Sequence, residues 1–245
     1  MFHRRLLINA CAIAIGLMAA AARADERLLA AEMPPFSYLE AGQAYGFAVD
    51  IEKELSARTR LRNEIEVMPI ARAMATLTTE KSDLIIAIAR TPEREKLLRW
   101  IVKIKTEPLV LLVRADSGLD ISTIDKSKKL RIGVLRQGAA EQAARRLNFG
   151  SLEVSSHDTS IARKLMVGRI DAWLTGADVA MLTMDRAGFD RSLVRAGPTL
   201  GVIDIYLAGS PGISDETAEK WKAAFDDMVR DGAYQKILNK YKFAR

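Results

Sequence analysis

The segment Asp83-Leu84-Ile85-Ile86-Ala87-Ile88-Ala89-Arg90-Thr91-Pro92-Glu93-Arg94-Glu95 joins an apolar run to a turn that carries two arginines. Residues 84–89 have the length and the β-branched content of a buried strand. Thr91-Pro92 then marks a helix start, because threonine can cap a first turn and proline suits the first helical position. The unpartnered backbone N–H groups of such a start attract an anion. Arg94, on that first turn, adds a planar guanidinium that can grip a carboxylate with two parallel hydrogen bonds. Arg90 stands just before it. The alternative is that both arginines are simply solvated, and the rest of the chain has to decide.

Working outward, strand and helix patterns alternate almost throughout. Residues 27–33 read as a strand broken by Pro34-Pro35-Phe36, and residues 47–59 as an amphipathic helix with Phe47, Val49, Ile51 and Leu55 apolar. Residues 64–67 are a second strand, 71–78 a short helix, and 100–105 and 109–113 extended segments. A second series follows: strand 130–135, helix 139–147, strand 152–155, helix 160–167 and strand 170–174. Two helical segments, 215–229 and 233–240, close the chain. Such alternation predicts an α/β fold with mainly parallel sheets, whose ligands bind at the carboxyl ends of the strands.

The first 24 residues read as an export leader rather than as fold. His3-Arg4-Arg5 is a basic start, residues 6–21 are apolar, and Ala22-Arg23-Ala24 has the small-x-small pattern of a signal-peptidase site. Cys11 would leave with that leader. Its removal takes three arginines and no acids, so the net charge falls from +6 to +3. No polybasic block remains, and neither nucleic acid nor a membrane surface is implied as a partner. With no cysteine left and His157 the only histidine, no metal site and no histidine-based triad is expected. No cofactor is expected either. The remaining 221 residues suffice for two lobes of about 100 residues each.

Several short motifs occur in a particular order. Pro34-Pro35-Phe36, Gly46-Phe47-Ala48-Val49-Asp50, Asp83-Leu84-Ile85-Ile86-Ala87 and Thr91-Pro92-Glu93-Arg94 come first. Lys129-Leu130-Arg131-Ile132-Gly133-Val134, Gly168-Arg169-Ile170-Asp171-Ala172 and Asp231-Gly232-Ala233-Tyr234 follow. In that order the chain resembles the family 3 extracellular solute-binding proteins, the polar amino-acid-binding components of ABC importers. The resemblance implies a two-lobed α/β periplasmic-binding-protein fold (type II) with two hinge strands and a ligand cleft between the lobes. Lobe 1 would comprise residues 25–113 and 205–245, and lobe 2 residues 114–204, with crossings near 113–116 and 202–205. It also implies a monomeric, non-enzymatic periplasmic protein whose partners are a small-molecule solute and an inner-membrane ABC permease.

By the same resemblance, Arg94 would clamp the ligand α-carboxylate, with Thr91 and Arg90 beside it. Met33 and Phe36 near the Pro-Pro turn would wall the ligand, as would Ile70 and Arg72. Phe36 reads equally as core, and Arg72 equally as a solvated helix residue. The chain also departs from the family pattern. Where hydroxyl residues often help to hold the carboxylate it has Gly138-Ala139-Ala140, leaving only backbone N–H groups of Ala139 and Ala140. Where an aspartate usually pairs the ligand ammonium it has Gly176. An unpaired buried charge costs several kcal/mol. Either Asp178, Glu141 or Glu32 therefore replaces the acid, or the ligand is a small organic anion without an ammonium. A periplasmic dehydratase of the cyclohexadienyl type and an orphan sensory domain are the rival functions on this fold. The leader reading has a direct check: mass spectrometry of the exported protein should find its N-terminus at Asp25, and a retained leader or a lipidated Cys11 would refute it.

Overall fold

The computed structural model describes residues 27–60, 64–79, 83–241 and 243; the leader, Cys11 and the expected cleavage site lie outside them. The chain starts with β1 (Leu28–Ala31), the hairpin β2 (Tyr38–Glu40) and β3 (Gln43–Tyr45), and helix α1 (Phe47–Thr59). It continues through β4 (Ile65–Met68), α2 (Ile70–Thr79), β5 (Leu84–Ala89) and the long β6 (Arg99–Arg114). A second series runs through α3 (Ile124–Ser127), β7 (Arg131–Leu135), α4 (Ala139–Arg146), β8 (Ser151–Ser155), α5 (Asp158–Met166), β9 (Ala172–Gly176) and α6 (Ala177–Arg186). The equally long β10 (Val194–Gly209) returns, and α7 (Asp215–Arg230) and α8 (Ala233–Tyr241) finish the chain.

Eight strands form one sheet in the order β4-β1-β5-β10-β6-β9-β7-β8. On one side β4, β1 and β5 are parallel, and on the other β8, β7 and β9 are parallel. Antiparallel β6 and β10 lie between them and belong to both halves. Residues 205–209 of β10 pair with β5, whereas residues 109–112 of β6 pair with β9. Two lobes thus share two strands. In the first lobe, β5 is buried along its whole length and packs with Phe47, Ile51 and Leu55, one face of α1. Trp221 and Met228 of α7 are fully buried in the same core. Tyr234 of α8 packs edge-on against Phe47 and Phe225 and donates a hydrogen bond to the Ile104 carbonyl. Ser214 caps α7 by accepting a bond from Thr217 N. The second lobe has its own core around Ile132, Val134, Ala172 and Leu174.

Two expectations from the sequence change here. Leu109, Leu111 and Val113 pack in the second-lobe core, so the first crossing falls near Glu107-Pro108 rather than at 113–116. Pairing of Leu109–Leu112 with β9 fixes those residues to the second lobe before the strand ends. The return crossing lies opposite, with Val202 beside Pro108 and Asp204 beside Thr106. The segment after Thr91 is also not a regular helix. Residues 92–97 form successive turns closed by Arg94 N to Thr91 O and Leu97 N to Arg94 O, because the chain must enter β6 at Arg99.

Gly46 has φ +129°, and a Cβ placed there would lie 2.3 Å from the Phe36 carbonyl oxygen. Gly42, at φ +77°, has open space around it. Gly42→Ala should cost about 1 kcal/mol of backbone strain, whereas Gly46→Ala should cost about 3 kcal/mol or more, since backbone must move as well. Urea unfolding of both variants checks the ranking, and equal losses would contradict the packing described.

Candidate functional site

The carboxyl ends of the parallel strands in both halves of the sheet point into one cleft. From the first lobe come Glu32 and Met33 after β1, Ile70 after β4 and Ala89 at the end of β5. From the second come Leu135 and Arg136 after β7, His157 and Asp158 after β8, and Thr175 and Gly176 at the end of β9. The hinge strands supply Glu107, Ile203 and Ile205 as the floor. The cleft has two chambers joined through Glu32, Ile70, Leu135 and Asp158. The outer chamber, about 160 Å³, is polar and apolar in equal parts and includes Arg136, His157 and Arg186. The inner chamber is largely apolar and includes three acids, Glu32, Glu107 and Asp158, and no cationic side chain among its lining residues.

Arg94 stands where the lobes meet. Its side chain is 2% exposed, Nη1 donates to the Ala89 carbonyl at 2.9 Å, and Nη2 donates across the cleft to the Gln137 carbonyl at 2.6 Å. Among the described residues no carboxylate accepts a hydrogen bond from it, and burial lowers its pKa to about 10. The neighbouring Glu93 is paired with Arg146 of the second lobe. Thr91 is buried at the same turn, its hydroxyl beside Glu93. A buried guanidinium hydrogen-bonded only to carbonyls, with Glu93 acting on it at a distance, is an arrangement that suits an anion.

Comparison with known proteins fits this geometry. The model of the bacterial extracellular solute-binding proteins, family 3, matches residues 28–244. The chain belongs to that family. It is 25% identical over 209 residues to the histidine-binding periplasmic protein of Escherichia coli (strain K12), covering 82% of this chain and 80% of that one. It is 27% identical over 224 residues to the L-arginine-binding protein of Pseudomonas aeruginosa, covering 86% and 85%. Among solved structures, a histidine kinase sensor domain similar to periplasmic binding proteins superposes with a TM-score of 0.82 at 13% identity, over 89% of this chain and 96% of that one. The arginine-, lysine-, histidine-binding protein ArtJ of Geobacillus stearothermophilus gives 0.76 at 22% identity, over 89% and 95%.

The family 3 fold places the residues singled out in the sequence in different surroundings. Met33, Ile70, Ala139 and Ala140 line the inner chamber; Arg94 and Thr91 are not among its lining residues, and Arg94 reaches it only by donating to the carbonyl of Ala89, which lines it. Four others do not reach it. Phe36 is fully buried between Phe47 and Phe243 as core, because the chain turns it inward beneath α1. Arg90 is drawn outward, pairing with Glu95 through two bonds and lying over Trp100 and Tyr206, each at 5.4 Å. Arg72 is exposed on α2, with Ile70 and Ala71 facing the cleft instead. Asp178 is buried behind the inner chamber against Lys105 at 2.7 Å. Of the other candidate acids, Glu141 is turned back to accept from Gln137 N and to pair with Arg145, and Glu32 sits at the cleft 3.9 Å from His157.

Sequence reasoning missed Asp158 and Glu107. Asp158 opens α5 directly after a strand, so the rule that ligands gather at strand carboxyl ends could have found it. Glu107 has no local signal, being one acid inside an extended segment. Burial, with the charge of Glu32 adding to it, raises the Asp158 pKa to about 7. An acid with a raised folded pKa keeps a proton that the unfolded chain has lost, so stability falls as pH rises from about 4 to about 7. Glu107, raised to about 8, adds a decline of the same sign. Urea midpoints at pH 4.5 and 7.5 should therefore drop in the native protein and drop clearly less in Asp158→Asn. Equal drops would show that Asp158 is not the group responsible.

Proposed function

We propose that this protein captures an amino acid or a small organic carboxylate in the cleft between its lobes and presents the closed form to an inner-membrane ABC permease after export. The observation that carries this reading is Arg94, a buried guanidinium at the lobe junction with carbonyl acceptors and no carboxylate of its own. Its bond to the Gln137 carbonyl joins the two lobes. An anion bound there would add charge-assisted hydrogen bonds that exist only when the lobes are together, which is how a ligand shifts an open-closed equilibrium. The backbone N–H groups at the start of α4, where Ala139 and Ala140 border the chamber, supply further donors to such an anion. The amino-acid-binding relatives support the same solute class.

Catalysis on the same fold is the second reading, favoured by two cleft acids, Asp158 and Glu107, whose pKa values of about 7 and about 8 suit proton transfer near neutrality. Recovery of the bound solute chemically unchanged after prolonged incubation would rule it out.

Calorimetry with amino acids and small carboxylates tests the proposal. Arg94→Ala should weaken binding by roughly 2–5 kcal/mol while leaving the circular dichroism spectrum unchanged. Arg94→Lys should recover only part, because a point charge cannot reproduce the planar fork. Unchanged affinity in a folded Arg94→Ala protein would leave Arg94 as a structural bridge and remove the proposal.

A further inference from the structure

Glu107 is 1% exposed, yet it lies on the hinge strand at the floor of the inner chamber. Its Oε1 accepts hydrogen bonds from the backbone N–H groups of Asp178 and Val179, at 2.9 and 3.1 Å, in the first turn of α6. No hydrogen bond to Oε2 is made among the described residues. The nearby cation, Lys105, is engaged by Asp178 at 2.7 Å and stands over the Phe243 ring, behind the chamber wall. A carboxylate is thus fixed at one end by two backbone donors and presented to a chamber that has acids but no cation.

Gly176 shows how the space is divided. A Cβ at residue 176 would fall 2.3 Å from the Glu107 carboxyl carbon and 2.3 Å from Oε1. Glycine is therefore required at the end of β9 for the Glu107 side chain to reach the chamber. The two positions compete for a single site, which one carboxylate occupies.

We propose that Glu107 is the counter-charge for a ligand ammonium, so that the solute is an α-amino acid zwitterion with its carboxylate on Arg94 and its ammonium on Glu107. The inference rests on the carboxylate-binding reading of Arg94 and narrows it. Asp178 and Glu141 are excluded from this role by their own partners, Lys105 and Arg145. Asp158 and Glu32 border the outer chamber as well, where Arg136 and Arg186 supply positive charge; Glu107 borders only the inner one. Burial, with Asp178 adding to it and Lys105 and the two backbone donors opposing, holds the Glu107 pKa up to about 8.

The test uses three matched pairs of probes on the mature protein: L-arginine, L-histidine and L-glutamine, each against the same acid with hydrogen in place of the α-amino group (5-guanidinopentanoate, 3-(imidazol-4-yl)propanoate and 4-carbamoylbutanoate). The native protein should prefer the amino acid of at least one pair. Glu107→Gln should weaken that amino acid about a hundredfold and change its des-amino partner little, abolishing the preference. Because a folding defect could mimic a loss, Glu107→Ala is compared with the double variant Glu107→Ala/Gly176→Asp. Moving the acid to the other side of the same space should restore most of the preference. A preference that survives Glu107→Gln, or one removed by Asp158→Asn instead, overturns the assignment while leaving the Arg94 reading standing. Binding of des-amino acids as tightly as amino acids by the native protein overturns it too. If no probe of any pair binds, both readings fall.

Discussion

Two sixteen-residue strands, β6 and β10, lie antiparallel at the centre of the sheet, and every other feature is arranged about them. A strand that long cannot serve one small core. The first half of β6 and the last residues of β10 pack in the first-lobe core with α7, and the second half of β6 and the first half of β10 pack in the second lobe. The ladder slips register between Ala196 and Thr199, between Thr199 and Gly201, and between Ile205 and Tyr206. The crossing itself, Val202 to Asp204 opposite Thr106 to Pro108, is paired in regular register, and the slips flank it on both sides. A link of this kind keeps each core intact while allowing the lobes to rotate as bodies, the usual structural basis of hinge closure around a ligand.

The sharing of strands also explains where the cleft is. Each lobe winds its parallel strands so that their carboxyl ends face the other lobe, and the loops at those ends carry the chemistry. Polar contacts across the gap include Arg94 to the Gln137 carbonyl, Glu93 to Arg146, and Arg186 over the Tyr38 ring at 4.6 Å. Polar closure contacts cost little to break when water can replace them. Among the described residues, apolar contact across the gap is confined to a few, Val179 and Ala139 against the first-lobe core and Leu135 beside Ile70.

Charge is distributed with the same economy. The three acids of the inner chamber and the guanidinium of Arg94 are separated by apolar side chains such as Met33, Ile70 and Ala139. Two of these groups are anchored by the backbone, Arg94 by carbonyls and Glu107 by N–H groups. Backbone anchoring fixes position without neutralising charge. It leaves the electrostatic work to whatever enters the cleft.

The sequence by itself determined the α/β alternation, the buried strand before Thr91, the helices with one apolar face and the family, because these follow from local periodicity and from short motifs in order. It also placed Arg94 on the turn that follows the buried strand, since strand end, proline and arginine are neighbours in the chain. Tertiary structure alone decided which side chains meet. Arg90 and Arg94 sit four residues apart, yet one is drawn out to Glu95 and Trp100 and the other is buried between lobes. Phe36 went to the core because Phe243, 207 positions later, closes over it. Glu107 gained its place because Gly176, on a different strand, has no side chain to fill the space. Periodicity reports which face of an element is buried. It cannot report what lies opposite that face, because that depends on residues brought there by the rest of the chain.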